Sequence, residues 1–356
     1  MRNETKTMSA RERVLAALVG EPTDRPAVVC PGGMMSMAVT EVMASSGAAW
    51  PEVHTSDEAM LRLALAMQET TGFDSIAMPF CMTVEAQSYG ATVDLGNLTT
   101  QPRVRGSVLP ADGSGRLPAP DFGSGRAAVL LRAMRQARAL RPDVAIIGNL
   151  VGPFSALGML CDPLQLLRWT RRAPETAARH LGRISEDLVR FGLLQKEAGA
   201  DAICIADPTA TGEILGGPRF RASALPHLAH VAGALRAAGA RIIIHICGNV
   251  AAIEPELREL AADAVSFDSI ADIAAILASR PPWQVMGNVS PFLLKEGPAD
   301  RVAQRCLTLA QGGVRLLAPA CGVIPTTPLA HLRAMRQAAG LRPGEAGLRP
   351  GVAGPI

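Results

Sequence analysis

The chain has 356 residues, 48% of them hydrophobic, with a net charge of +3 and an aromatic share of only 3%. Length and apolar content suffice for one large domain with a sizeable core, while so small a charge and so few rings argue against a phosphate-tracking or base-stacking nucleic-acid surface. No stretch reaches the ~18 apolar residues of a membrane span, the piece V-L-A-A-L-V-G behind Glu12 and Arg13 is too short for an export signal, and the seven cysteines follow no disulfide-scaffold spacing, so a reducing, cytoplasmic setting is expected.

In chain order, Ser9 and Glu12 form a capping box at the head of a helix that runs through Val14, Leu15 and Leu18. Ala27 to Cys30 suits a first buried strand, followed by a methionine-rich loop with Met34, Met35 and Met37. A helix from its cap Ser56 through Met67 leads to a second strand, Ser75 to Met78, with Glu85 beyond it. From Tyr89 to Gly125 short alternating runs broken by Pro and Gly predict a hairpin-like excursion. Helix 126–140 precedes a third strand, Val144 to Ile147, ending in Gly148 and Asn149. A long helical region from Pro163 to Gly199, broken at Pro174, precedes a fourth strand up to Ala206, with Asp207 immediately after it.

Helix 222–239 then leads to the fifth strand, Ile242 to Ile246; the sixth is Ala264 to Phe267, the seventh Gln284 to Met286 and the eighth Val314 to Ala318. Eight strands alternating with helices predict an α/β fold, a (β/α)8 TIM barrel in a single domain over residues 9–340 with an N-terminal helical extension. Residues 341–356 form a Pro/Gly-rich tail expected to be disordered.

In R-I-I-I-H-I-C-G-N-V a strand runs into a His-x-Cys pair, and on an extended strand residues two apart share a face. His245 and Cys247 can therefore converge on one ion, with Cys321, after the eighth strand, as a third ligand. One imidazole and two thiolates suit Zn2+ better than magnesium or calcium, and three protein ligands leave a tetrahedral position open for catalysis. A core histidine beside two core thiols explains the same spacing. Glu85 and Asp207 fall just after strands, where barrels carry their chemistry. A residue that orients a metal ligand, a third carboxylate ligand, a substrate binder and a plain loop cap or salt bridge all remain open for them.

The opening S-A-R-E-R-V-L-A-A-L-V-G-E-P-T-D-R-P resembles that of the uroporphyrinogen decarboxylase superfamily, and P-G-G-M-M-S-M, A-D-P-T-A-T-G-E, H-I-C-G-N and A-C-G-V-I-P-T-T-P resemble its methylcobalamin:coenzyme M methyltransferase branch. The likeness runs from about Ser9 to Met335. It implies zinc at His245, Cys247 and Cys321, active-site roles for Glu85 and Asp207, a methylcobalamin or other corrinoid methyl donor, and a separate corrinoid protein as partner. The chain has no D-x-H-x-x-G cobalamin motif of its own. The arginine-rich R-Q-A-G-R signature of the decarboxylases is replaced by P-G-G-M-M-S-M, so a polyanionic porphyrinogen would lack its clamps.

The implied reaction is attack of a zinc-bound thiolate, such as that of coenzyme M, on the methyl group of a methyl-corrinoid. Three alternatives stand beside it: a methyltransferase taking methyl from a methoxylated or halogenated donor to Co(I) corrinoid, with the metal polarising the leaving group; a decarboxylase; and a non-catalytic barrel with structural zinc.

Overall fold

The computed structural model describes residues 7–31 and 37–341. Eight parallel strands, β1 to β8, run Ala27–Val28, Ser75–Met78, Ala145–Val151, Ala202–Ala206, Arg241–Ile246, Ala264–Phe267, Gln284–Met286 and Leu316–Leu317. Their apolar runs are buried almost throughout, as parallel strands covered by helices on the outside must be. Ladders join each strand from β2 to β8 to the next, and β8 to β1.

The last seam, between β1 and β2, is stitched by Asp74. Its N–H donates to the Val28 carbonyl at 2.7 Å, its carboxylate accepts the Val28 N–H at 2.8 Å, and Arg13 and Arg25 each hold that carboxylate at 2.7 Å. The expected (β/α)8 barrel is thus the observed fold, with one side chain standing in for a ladder.

Inside the barrel, alternate strand residues such as Ile147, Cys204, Ile243 and Met286 meet in one core, and Val14, Ala17 and Leu18 of the helix Ala10–Leu18 plug its floor. Ser9 caps that helix in the expected capping box. Because all eight strands point the same way, every turn after a strand opens on one mouth, opposite this plug. The predicted excursion after β2 is a hairpin of Thr92–Asp94 and Arg103–Arg105.

Several boundaries differ from the sequence reading. Strand three does not end at Gly148 and Asn149 but continues to Val151, because β4 pairs with it along this length and the Gln195 side chain exchanges two 2.8 Å hydrogen bonds with the Asn149 backbone. Tertiary partners outweigh the turn signal of the glycine. The helices Pro153–Leu160, Gly212–Arg219 and Pro291–Glu296 follow β3, β4 and β7 where no helix was expected. The helix expected from Ala222 starts as a π-turn over Phe220–Ala224 and is regular only over Leu225–Ala237. Met37 is buried in the core, whereas Met34, Met35 and tail residues 342–356 lie outside the described residues. No helix among the described residues is long and apolar enough to cross a membrane.

Candidate metal centre

β5 delivers His245 into the barrel, and Cys247 follows at its end, where Gly248 turns the chain away with φ +75°. A conformation so far into positive φ suits glycine and strains other residues. Cys321 arrives from the segment after β8. The imidazole is 1% exposed, whereas both sulfurs, free of disulfide, are half-buried toward the opening.

His245 Nδ1 lies 3.2 Å from the Ser266 carbonyl. A carbonyl only accepts, so this nitrogen carries the proton and Nε2 turns its lone pair outward, 3.0 Å from the Cys247 sulfur. The Cys247 and Cys321 sulfurs are 3.6 Å apart, and one donor atom from each of the three residues lies within 4.8 Å of the others. Tetrahedral zinc, with bonds of about 2.3 Å to sulfur and 2.0–2.1 Å to nitrogen, separates its donors by roughly 3.6–3.8 Å. The sulfur pair has that spacing, and the imidazole needs a shift of about half an ångström. Donor set and geometry therefore fit zinc.

The two thiols are electrostatically unlike. The hydrogen bond from Cys247 holds the Cys321 thiol well below its usual range, helped by the Gly322 N–H, while the same bond and burial push Cys247 up. One thiolate is thus already favoured in the pair, which is the form a metal takes.

The carboxylates singled out in the sequence lie elsewhere at the mouth. Asp207 is fully buried, and its carboxylate accepts the Phe154 N–H at 3.2 Å, the Ser155 N–H at 2.8 Å and the Ser155 hydroxyl at 2.6 Å. It caps the helix Pro153–Leu160, in a seat so tight that a Cβ on Gly152 would come within 2.4 Å of the Asp207 Cβ. Burial raises its pKa against these hydrogen bonds. Glu85, on the short helix Val84–Ser88, accepts the Val151 N–H at 2.8 Å, and burial pushes its carboxyl up to about 7. Neither belongs to the metal-competent cluster, which among the described residues comprises His245, Cys247 and Cys321 alone.

Two polar residues after β6 and β7 complete the surroundings. The Asp268 carboxylate accepts the Gly248 N–H at 3.0 Å, right beside Cys247. The Asn288 amide donates to the Asp268 carbonyl at 2.8 Å. Both stand just past strand ends, where barrels carry their chemistry. Arg305, which bonds Asn288 from the helix Ala299–Gln311 on the outside, carries no such mark in the sequence.

The family model described as uroporphyrinogen decarboxylase (URO-D) matches residues 9–340. The methylcobamide:CoM methyltransferase MtaA of Methanosarcina barkeri is 31% identical over 332 residues, covering 91% of this chain and 96% of that protein. The methylcobamide:CoM methyltransferase MtbA of Methanosarcina acetivorans is 30% identical over 335 residues, covering 92% and 97%. A solved methyltransferase from Methanosarcina mazei superposes with a TM-score of 0.88 at 31% identity, covering 93% of this chain and 98% of that one.

Proposed function

Since the chain belongs to the uroporphyrinogen decarboxylase family and resembles two methylcobamide:CoM methyltransferases over more than nine-tenths of its length, we propose that it is a corrinoid-dependent methyltransferase that moves a methyl group between a protein-bound methyl-corrinoid and a thiol such as coenzyme M. The observation that carries this reading is the convergence of His245, Cys247 and Cys321 at the barrel mouth, with donor spacing suited to zinc. Bound there, zinc would hold the sulfur of an incoming thiol as a thiolate, the nucleophile that methyl transfer needs.

The chain's own residues supply the rest. His245, Cys247 and Cys321 would hold the ion with three protein donors, fewer than the four of a structural site, so that a substrate sulfur could bind as well. The Ser266 carbonyl fixes the tautomer and aim of His245. In the proposed reaction the thiol's proton passes to solvent water, its sulfur forms the new S–CH3 bond, and the methyl–cobalt bond of the substrate breaks with its electron pair left on cobalt, so Co(III) becomes Co(I). Asp207 and Glu85 serve as the site's positioning carboxylates: Asp207 seats the helix at the rim, and Glu85 holds the end of β3 through Val151. The corrinoid is taken from a separate corrinoid protein, a partner that the likeness to the methylcobamide:CoM methyltransferases supports.

The test is the visible spectrum of methylcobalamin mixed with zinc-loaded protein, with and without 2-mercaptoethanesulfonate and, in parallel, other thiols. Loss of the methyl-Co(III) band on adding a thiol is expected, and its dependence on the sulfonate identifies the acceptor class. No change with any thiol would overturn thiol methylation and leave transfer from methoxylated or halogenated donors to Co(I) corrinoid.

A further inference from the structure

The two cysteine turns sit on different strands, yet both are tied to one short segment after β7, Gly287 to Val289. On one side Asn288 Nδ2 donates to the Asp268 carbonyl at 2.8 Å and the Ala271 carbonyl at 3.3 Å, while the Asp268 carboxylate takes the Gly248 N–H at 3.0 Å, next to Cys247. On the other side the Val289 carbonyl accepts the Ala320 N–H at 2.8 Å, next to Cys321, and the Val289 N–H donates to Ala318 at 3.0 Å.

The Asn288 side chain, 1% exposed, cannot rotate freely. Arg305 donates to its Oδ1 at 2.6 Å. A guanidinium has no acceptor, so the oxygen must face Arg305 and both amide hydrogens must face the two carbonyls. Among the described residues the Arg305 guanidinium has no carboxylate within ion-pair distance, and its hydrogen bond goes to Asn288 Oδ1. A half-buried cation held on a neutral amide costs desolvation energy that an ion pair would otherwise offset, and its structural return is the fixed amide.

We propose that Asn288, locked by Arg305, is the positioning residue of the metal centre: through Asp268 and Gly248 on one side and Val289 and Ala320 on the other, it sets the separation of the Cys247 and Cys321 sulfurs. This rests on the zinc reading above. The groups that orient metal ligands typically matter 10–100-fold in metal affinity.

The experiment measures zinc affinity by competition with a chromophoric chelator, and the visible spectrum of the Co2+-loaded protein, for the wild type, Asn288→Ala, Arg305→Met and Arg305→Lys. Asn288→Ala is expected to weaken zinc binding roughly 10–100-fold and to shift the cobalt ligand-field bands while keeping the sulfur-to-cobalt charge-transfer bands. Arg305→Met should weaken binding by a smaller factor and Arg305→Lys should recover part of it. A merely structural role would lower the melting temperature without moving the cobalt bands. Wild-type affinity and an unaltered cobalt spectrum in Asn288→Ala would overturn this inference alone. Should that variant fail to fold, the same two results in Arg305→Met decide equally. A wild type that binds neither ion would overturn both this inference and the zinc reading.

Discussion

Two sets of buried polar groups share the mouth of this barrel and differ in where their hydrogen bonds go. Asp207 and Glu85, at the ends of β4 and β2, direct their carboxylate oxygens to backbone N–H groups and a serine hydroxyl of neighbouring turns. His245, Cys247 and Cys321, at the ends of β5 and β8, have chiefly one another, with Ser266 and Gly322 at the edges. A buried polar group whose partners are backbone groups is holding the chain in place. Donors that converge on a common point with few other partners are arranged for something that sits between them. The contrast teaches that position after a barrel strand nominates a residue, and that its unspent lone pairs assign its role.

Removing one member from each set sharpens this contrast. Cys321→Ser should abolish methyl transfer and lower zinc affinity by more than about 100-fold, beyond the typical effect of a residue that only orients a ligand. The fold should persist, since Cys321 lies in a turn at the opening; circular dichroism and metal analysis check both. Asp207→Ala should do the reverse. It leaves the Phe154 and Ser155 donors unmet in a buried place, at a cost of about 4 kcal/mol in chemical denaturation, with zinc stoichiometry unchanged. A zinc-depleted but stable Asp207→Ala protein would break the division between the sets.

Glu85 adds a pH dependence. Its folded pKa, about 7, lies above the ordinary value of 4.5, so the protonated native state contributes stability that is complete below about pH 4.5. That contribution falls as pH rises through about 7, by about 3 kcal/mol in all. Glu85→Gln, neutral at every pH, should flatten this part of the stability profile between pH 5 and 8. An unchanged slope would place the ionisation elsewhere. The smallest effect belongs to the far end of the barrel, where Ser9→Ala removes the capping box of the plug helix and should cost about 1 kcal/mol, leaving zinc binding and methyl transfer untouched.

The barrel was legible because apolar β-runs alternate with amphipathic helices, and β6 and β7 fall on the residues their patterns indicate. The cluster of His245, Cys247 and Cys321 was legible in part because strand periodicity places His245 and Cys247 on one face. What escaped has physical reasons. β3 outruns its glycine because β4 and Gln195 hold it extended. The helix Pro153–Leu160 is apolar on all sides and eight residues long, too short to show a period. That Asp207 is spent on a helix N-terminus depends on Ser155, 52 residues away in the chain. Arg305 reaches Asn288 across the barrel wall, and a single arginine on an amphipathic helix gives no sign of such a contact.

The most direct test of the centre is the zinc X-ray absorption of the purified protein, before and after adding 2-mercaptoethanesulfonate. Two sulfur neighbours and one imidazole nitrogen are predicted at first, and a third sulfur after the thiol is added. A zinc ion with four protein donors and no response to any thiol would make it a structural ion and contradict the account.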